Sequence, residues 1–151
     1  PCGNNLVSGF ARNFIHVDPI HLLANLYMFW QLIQLELILG PVHYLFLIFL
    51  LSLFQTIIEW FILGNNIPYN PVSFFVKSTC SIGFSGILFG ILTWMLFFER
   101  GIDFGILFAM IMSISLQTMR DPRISFVGHF LGIMSGILVV PVTRLLGWNL
   151  I

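Results

Sequence analysis

Charge is what this chain lacks most. Of its 151 residues only 8% are charged, against 58% hydrophobic, and the mean hydropathy is +1.00. A soluble domain carries about 25% charged residues, so water is not the main solvent for this sequence. The six Lys and Arg balance the six Asp and Glu and are scattered, so there is no basic patch to hold nucleic acid. Cysteine is scarce as well. Cys2 and Cys80 are too few and too far apart for a zinc cluster and lack CxxC spacing. They read as two thiols, with a disulfide between them left open. No His-Glu-x-x-His run is present, which excludes the usual helical zinc-hydrolase motif. No signal peptide is visible at Pro1, and a start without Met reads as a beginning inside a longer protein.

What is present is a series of apolar stretches with short polar breaks. A membrane span needs roughly 20 apolar residues, and five stretches approach that length: 19–39, 42–63, 82–98, 102–119 and 126–146. Pro19 suits a first helical turn, and Gly40-Pro41 stops the first stretch. Residues 64–80, with Pro68, Asn70 and Pro71, form a loop in which Phe74, Phe75 and Val76 dip into the interface. Glu99-Arg100-Gly101 and Arg120-Asp121-Pro122-Arg123 make the later breaks. Residues 1–18 are too polar at Asn4, Asn5, Arg12 and Asn13 to span and read as a loop. The expected fold is therefore all-α: a polytopic membrane helix bundle in a single domain over 1–151.

Short connections make successive helices antiparallel, so the first, third and fifth spans begin on one face. Their starts carry His21 and Asn25, then Ser85, then His129, with His16 in the loop before them. Polar groups inside a membrane are costly and mark functional sites. A serine becomes a nucleophile when a base within ~2.6–3.2 Å takes its proton, which His129 can do if the third and fifth spans pack closely. Gly86 and Gly90 lie four apart, as do Gly132 and Gly136, and small-xxx-small stripes let helix backbones approach. Glycine stripes serve packing alone in many bundles; Ser85 and His129 at equivalent depth favour chemistry. His21 and Asn25 stand at i and i+4, on one helix face. With the Ser85 backbone N–H they can form an oxyanion hole, or they can simply bond helix to helix. His16 braces the loop. Asp121 and Asp18 offer no compelling third member for a triad. His43 lies at the opposite end of the bundle, and Glu36 and Glu59 snorkel or pair.

The set His16-x4-His21-x3-Asn25, Gly83-Phe84-Ser85-Gly86 and Gly128-His129-x2-Gly132-x3-Gly136 resembles the rhomboid intramembrane serine proteases over nearly the whole chain. The resemblance implies a six-helix core of which the five spans match helices two to six, helix one preceding Pro1. It implies Ser85 as nucleophile, His129 as general base, His21 and Asn25 as oxyanion donors, and His16 as a structural part of the loop. Gly83, Gly86, Gly128, Gly132 and Gly136 would support the site. Substrates would be transmembrane proteins cut in or near the bilayer, with no cofactor and no metal. Two features depart from the family pattern. Val7 and Ser8 stand where a Trp-Arg pair is common, and Phe89 replaces a tyrosine, able to stack on His129 but without a hydroxyl.

Other readings fit less well. His16, His21 and His129 could ligate a metal, but no carboxylate is spaced to act as base. An aspartyl enzyme needs two embedded Asp, and Asp103 lies alone near the other face. A transporter or channel leaves the serine and histidine motifs unexplained. The serious rival is a catalytically silent rhomboid-like protein that binds transmembrane helices for quality control or trafficking. Silent relatives lose the serine or the histidine, and this chain keeps both. For orientation, Arg12, Lys77, Arg120 and Arg123 lie on the site's face and Arg100 and Arg144 on the other. That count alone points the site inward; the resemblance implies an extracellular or lumenal face, which is the orientation expected.

Overall fold

A computed structural model describes residues 5–16, 18–64, 82–121 and 124–149. Most of the expected loop at 64–80, both cysteines, and Pro122 and Arg123 of the last turn lie outside the described residues. Among those described there are seven helices and no strand: α1 Leu6–Arg12, α2 Pro19–Leu32, α3 Gln34–Leu39, α4 Pro41–Gly64, α5 Ser85–Arg100, α6 Phe104–Arg120 and α7 Phe126–Leu145. The expected all-α class holds.

The helix starts are written in short polar side chains. Asp18 accepts from the His21 N–H and Pro19 fills the first turn of α2. Asp103 accepts from the N–H groups of Gly105 and Ile106, and Ser125 from that of Gly128. Each satisfies donors that a helix leaves orphaned at its first turn. Asp18, Asp103 and Ser125 thus act as caps. At the other end of α3, Gly40 takes φ 79° while its N–H bonds the Glu36 carbonyl, a left-handed closure that glycine adopts without strain.

Two expectations are corrected. The loop over 1–18 contains α1, whose N-cap Asn5 accepts from the Ser8 N–H. Of the polar residues that argued against a span there, Asn5 starts this short helix and Asn13 closes it. The first stretch, 19–39, is not one helix. It breaks at Ile33, whose N–H bonds Trp30 in an i−3 pattern before α3 resumes, and no Gly or Pro marks the break in the sequence. The remaining helices fall within a few residues of their expected bounds.

Two segments, Pro41–Phe61 of 21 residues and Phe126–Leu145 of 20, are long and apolar enough to cross a membrane. With 16 and 17 residues, α5 and α6 rise about 25 Å at 1.5 Å per residue, somewhat less than a typical hydrocarbon core. Along α6, Phe104, Phe108, Met112, Leu116 and Met119 face outward. A contiguous exposed apolar face of this kind suits lipid rather than water.

Helix α5 is the central post. It packs most extensively on α7, with α4 against both, α2 on α5, α6 on α7, and α1 lying on α4. The main core joins Leu47 and Leu51 of α4, Ile87, Ile91 and Trp94 of α5, and Val139 of α7. A smaller core joins Phe89, Met110, Ile114 and Ile133 where α5, α6 and α7 meet. The Trp94 indole donates to the Thr143 hydroxyl at 2.8 Å, both fully buried. At the far end of α5, Arg144 donates to the carbonyls of Phe97 and Phe98 and lies over the Phe98 ring. A cation there satisfies the last turn's open carbonyls and complements the helix dipole. The expected interfacial His43 meets the Trp148 ring edge-on at 4.9 Å.

Candidate active site

Glycine decides how close α5 and α7 come. A Cβ on Gly132 would strike the Gly86 backbone, lying 2.7 Å from its carbonyl carbon and 2.9 Å from its Cα. One turn on, a Cβ on Gly136 would be 2.6 Å from the Gly90 oxygen, and one on Gly86 would be 2.8 Å from the Gly128 oxygen. The backbones therefore touch, as the small-residue spacing leads one to expect.

That contact brings the serine and the histidine together. Ser85 is the first residue of α5, and His129 lies in the first turn of α7 below its Ser125 cap. Ser85 Oγ and His129 Nε2 are 2.8 Å apart, hydrogen-bond distance with good reach for proton transfer. His129 is buried, at 7% exposure. The Phe89 ring packs on the imidazole at 4.8 Å, tilted by 44°, so the phenyl group supports the ring without a hydroxyl. His129 Nδ1 is buried without a hydrogen-bond partner among the described residues, so no carboxylate orients the ring.

The turn before Ser85 is built around Gly83, at φ 112°. A side chain is doubly excluded there: the backbone is in a left-handed region, and a Cβ would lie 2.7 Å from His21 Cε1 and 3.6 Å from Asn25 Nδ2. Both α2 side chains thus sit against the residue two before the serine. Asn25 is buried at 4% exposure, and its Nδ2 has no partner among the described residues. A buried amide donor left open this near the turn that carries the serine is what an oxyanion would need. Asn25, Leu22, Leu26, Phe29 and Phe84 line a groove of about 180 Å³ next to this turn.

His16 lies edge-on to His21, ring centroids 5.3 Å apart, with its Nε2 buried and without a partner among the described residues. Its position supports a bracing role for the loop. Burial first, then the neighbouring charge of His21, holds its pKa below the ordinary 6.5, against a hydrogen bond with the Phe14 backbone that raises it. The end of α1 is tied to the site as well: the Arg12 carbonyl accepts from the Gly83 N–H at 3.1 Å, and Asn13 Nδ2 donates to Thr56 Oγ1 at 3.3 Å.

Every residue singled out from the sequence as catalytic, oxyanion-binding or supporting falls in this one region. One polar residue at the site escaped notice. Gln55 of α4 is 1% exposed, and its amide stands 2.5–2.7 Å from where a Cβ on Gly86 would be. Its signal was visible: Ser52, Gln55, Thr56 and Glu59 recur at helical spacing in an otherwise apolar span. Among the described residues no group of three or more His, Cys, Asp or Glu is arranged to hold a metal ion.

Comparison with known proteins places the chain in a family. A family model for the rhomboid domain matches residues 4–145. A rhomboid-named protein of Acanthamoeba polyphaga mimivirus is 26% identical over 137 residues, which cover 91% of this chain and 75% of that protein. No solved structure matches the chain significantly. With the match running from α1 to the end of α7, this membrane protein belongs to the rhomboid family.

Proposed function

We propose that the chain is an intramembrane serine endopeptidase that hydrolyses peptide bonds in or near the transmembrane segments of membrane proteins. The observation that carries this reading is the 2.8 Å contact between Ser85 Oγ and His129 Nε2 in a buried site. Ser85 Oγ attacks the scissile carbonyl carbon as His129 Nε2 takes its proton. The oxyanion is held by His21, Asn25 and the Ser85 backbone N–H, donors fixed before reaction and therefore effective in a site poor in water. His129 then protonates the leaving amine, and water releases the acyl group from Ser85 with His129 again as base. No cofactor takes part. A dyad can work without a carboxylate, because the orienting acid is one contribution among several.

The chain is multi-pass in this reading, with its active face toward the extracellular space or a lumen. Its partners are transmembrane substrates and the surrounding lipid. The two long apolar helices and the outward apolar face of α6 support the bundle's place in the bilayer. The test is cleavage of a model transmembrane substrate by the purified full chain in bilayers. The parent should cleave and Ser85→Ala should not, with unchanged thermal stability. A parent without activity, or a Ser85→Ala variant that cuts as well, would leave the alternative: a silent rhomboid-like protein that binds transmembrane helices.

A further inference from the structure

His16 and His21 are both half-buried and lie edge-on, with ring centroids 5.3 Å apart. The hydrogen bond between the His16 ring and the Phe14 backbone favours the protonated ring, so the ring is its donor. His16 Nε2 is buried without a partner among the described residues, which assigns the donated bond to Nδ1. In the neutral ring Nε2 then carries a lone pair, and ring packing alone leaves that acceptor unsatisfied. Buried polar groups almost always find a partner.

An imidazole whose other nitrogen is held by a backbone carbonyl is the usual form of a metal-ligating histidine. The spacing of the pair suits one as well. Two imidazoles on a tetrahedral zinc ion, with metal–nitrogen distances of about 2.0–2.1 Å, hold their ring centroids roughly 5.2 Å apart. Zinc takes imidazole readily, whereas calcium and magnesium prefer oxygen ligands. Asp18 accepts from the His21 N–H at 2.7 Å and so fixes the first turn of α2, on which His21 stands. No group of three or more such ligands occurs among the described residues, so water would complete the coordination of an ion held by this pair.

The place of the pair gives such an ion a consequence. A Cβ on Gly83 would lie 2.7 Å from His21 Cε1 and 3.1 Å from His21 Nε2, so the His21 ring is pressed against the turn that leads into Ser85. An ion bound to that ring takes away one of the oxyanion donors. We propose that His16 and His21 together form an inhibitory zinc site at the edge of the active site. The inhibition rests on the protease reading; the binding stands on the histidine pair alone.

The test is titration of the full chain, carrying no histidine tag, with zinc chloride in detergent. Saturable binding is expected, weakened roughly tenfold or more in His16→Gln, since even outer groups of a metal site matter that much. Zinc should raise the thermal midpoint of the parent, because an ion that binds the folded state stabilises it, and should leave His16→Gln unmoved. Magnesium should do neither. Labelling of Ser85 by a fluorophosphonate reports the oxyanion site. Saturating zinc should slow it in the parent on the order of a hundredfold, as loss of one oxyanion donor does. The ratio of labelling with and without zinc, taken within His16→Gln, should be close to one. A parent that binds no zinc would overturn the proposal, as would undiminished binding in His16→Gln. Loss of binding in Cys2→Ser or Cys80→Ser would assign the ion to the thiols and overturn the site equally. Binding through His16 with unslowed labelling would overturn the inhibition. Failure of the protease reading looks different: the parent cleaves no substrate, while titration and thermal shift still decide the zinc site.

Discussion

Gly132→Ala adds one methyl group where α7 meets α5, and the structure allows its consequences to be worked out. The new Cβ would stand 2.7 Å from the Gly86 carbonyl carbon, whereas carbon atoms in contact prefer about 3.5–4.0 Å. The obstacle is backbone, so no rotamer change relieves it. The helices must separate by roughly 1 Å, or tilt to the same effect, and overpacking of this sort costs about 1–3 kcal/mol. His129 lies three residues from Gly132 on the same helix, so a shift of that size stretches the 2.8 Å Ser85–His129 contact beyond hydrogen-bond reach. A misplacement of about 1 Å at a reacting pair lowers rate on the order of a hundredfold. Thermal unfolding in detergent would report the stability, and fluorophosphonate labelling of Ser85 would report the dyad. Gly105→Ala is the control: its Cβ meets only the Asp103 carboxylate, at 3.2 Å, on an exposed turn of α6, and should change neither. Parent-like stability and labelling in Gly132→Ala would refute the claim that backbone contact between α5 and α7 sets the dyad.

Two further outcomes follow from buried and titrating groups. Thr143→Val leaves the Trp94 indole N–H without its 2.8 Å partner in a fully buried place and should cost about 1–3 kcal/mol in a denaturation series, with Ser85 labelling unchanged at the other end of α5. His16 has a folded pKa below 6.5, from burial first and then His21. The unfolded chain therefore takes up this proton more readily, so stability from His16 is present above 6.5 and lost as pH falls toward the lowered value. A thermal midpoint that drops on acidification, and drops less in His16→Gln, is expected; an identical pH profile in the two would refute it.

Much was legible in the residues alone. Pattern and composition placed the helices because an apolar run in lipid must satisfy its backbone internally, which leaves helix as the available form. Pro19 marked the start of α2, whereas the capping roles of Asp18, Asp103 and Ser125 came from the structure. The break at Ile33 was not legible, since no residue there opposes a helix; nor was α1, whose seven residues are too short to show a period. The polar stripe of α4 was in plain view, but Gln55 gained meaning only once Gly86 was found beside it.

For the candidate site the division falls in the same place. Spacing alone determined that Ser85, His129, His21 and Asn25 begin spans on one face, because helix direction alternates with each short connection. Small residues at Gly86, Gly90, Gly132 and Gly136 determined that two helices could touch. What only the tertiary structure decided is the register of that contact. Backbone packing of Gly132 on Gly86 sets Ser85 Oγ 2.8 Å from His129 Nε2, and the left-handed Gly83 turn sets His21 and Asn25 against Gly83, two residues before the serine. A linear pattern states which face a residue occupies; the depth at which two faces meet depends on every methyl group between them.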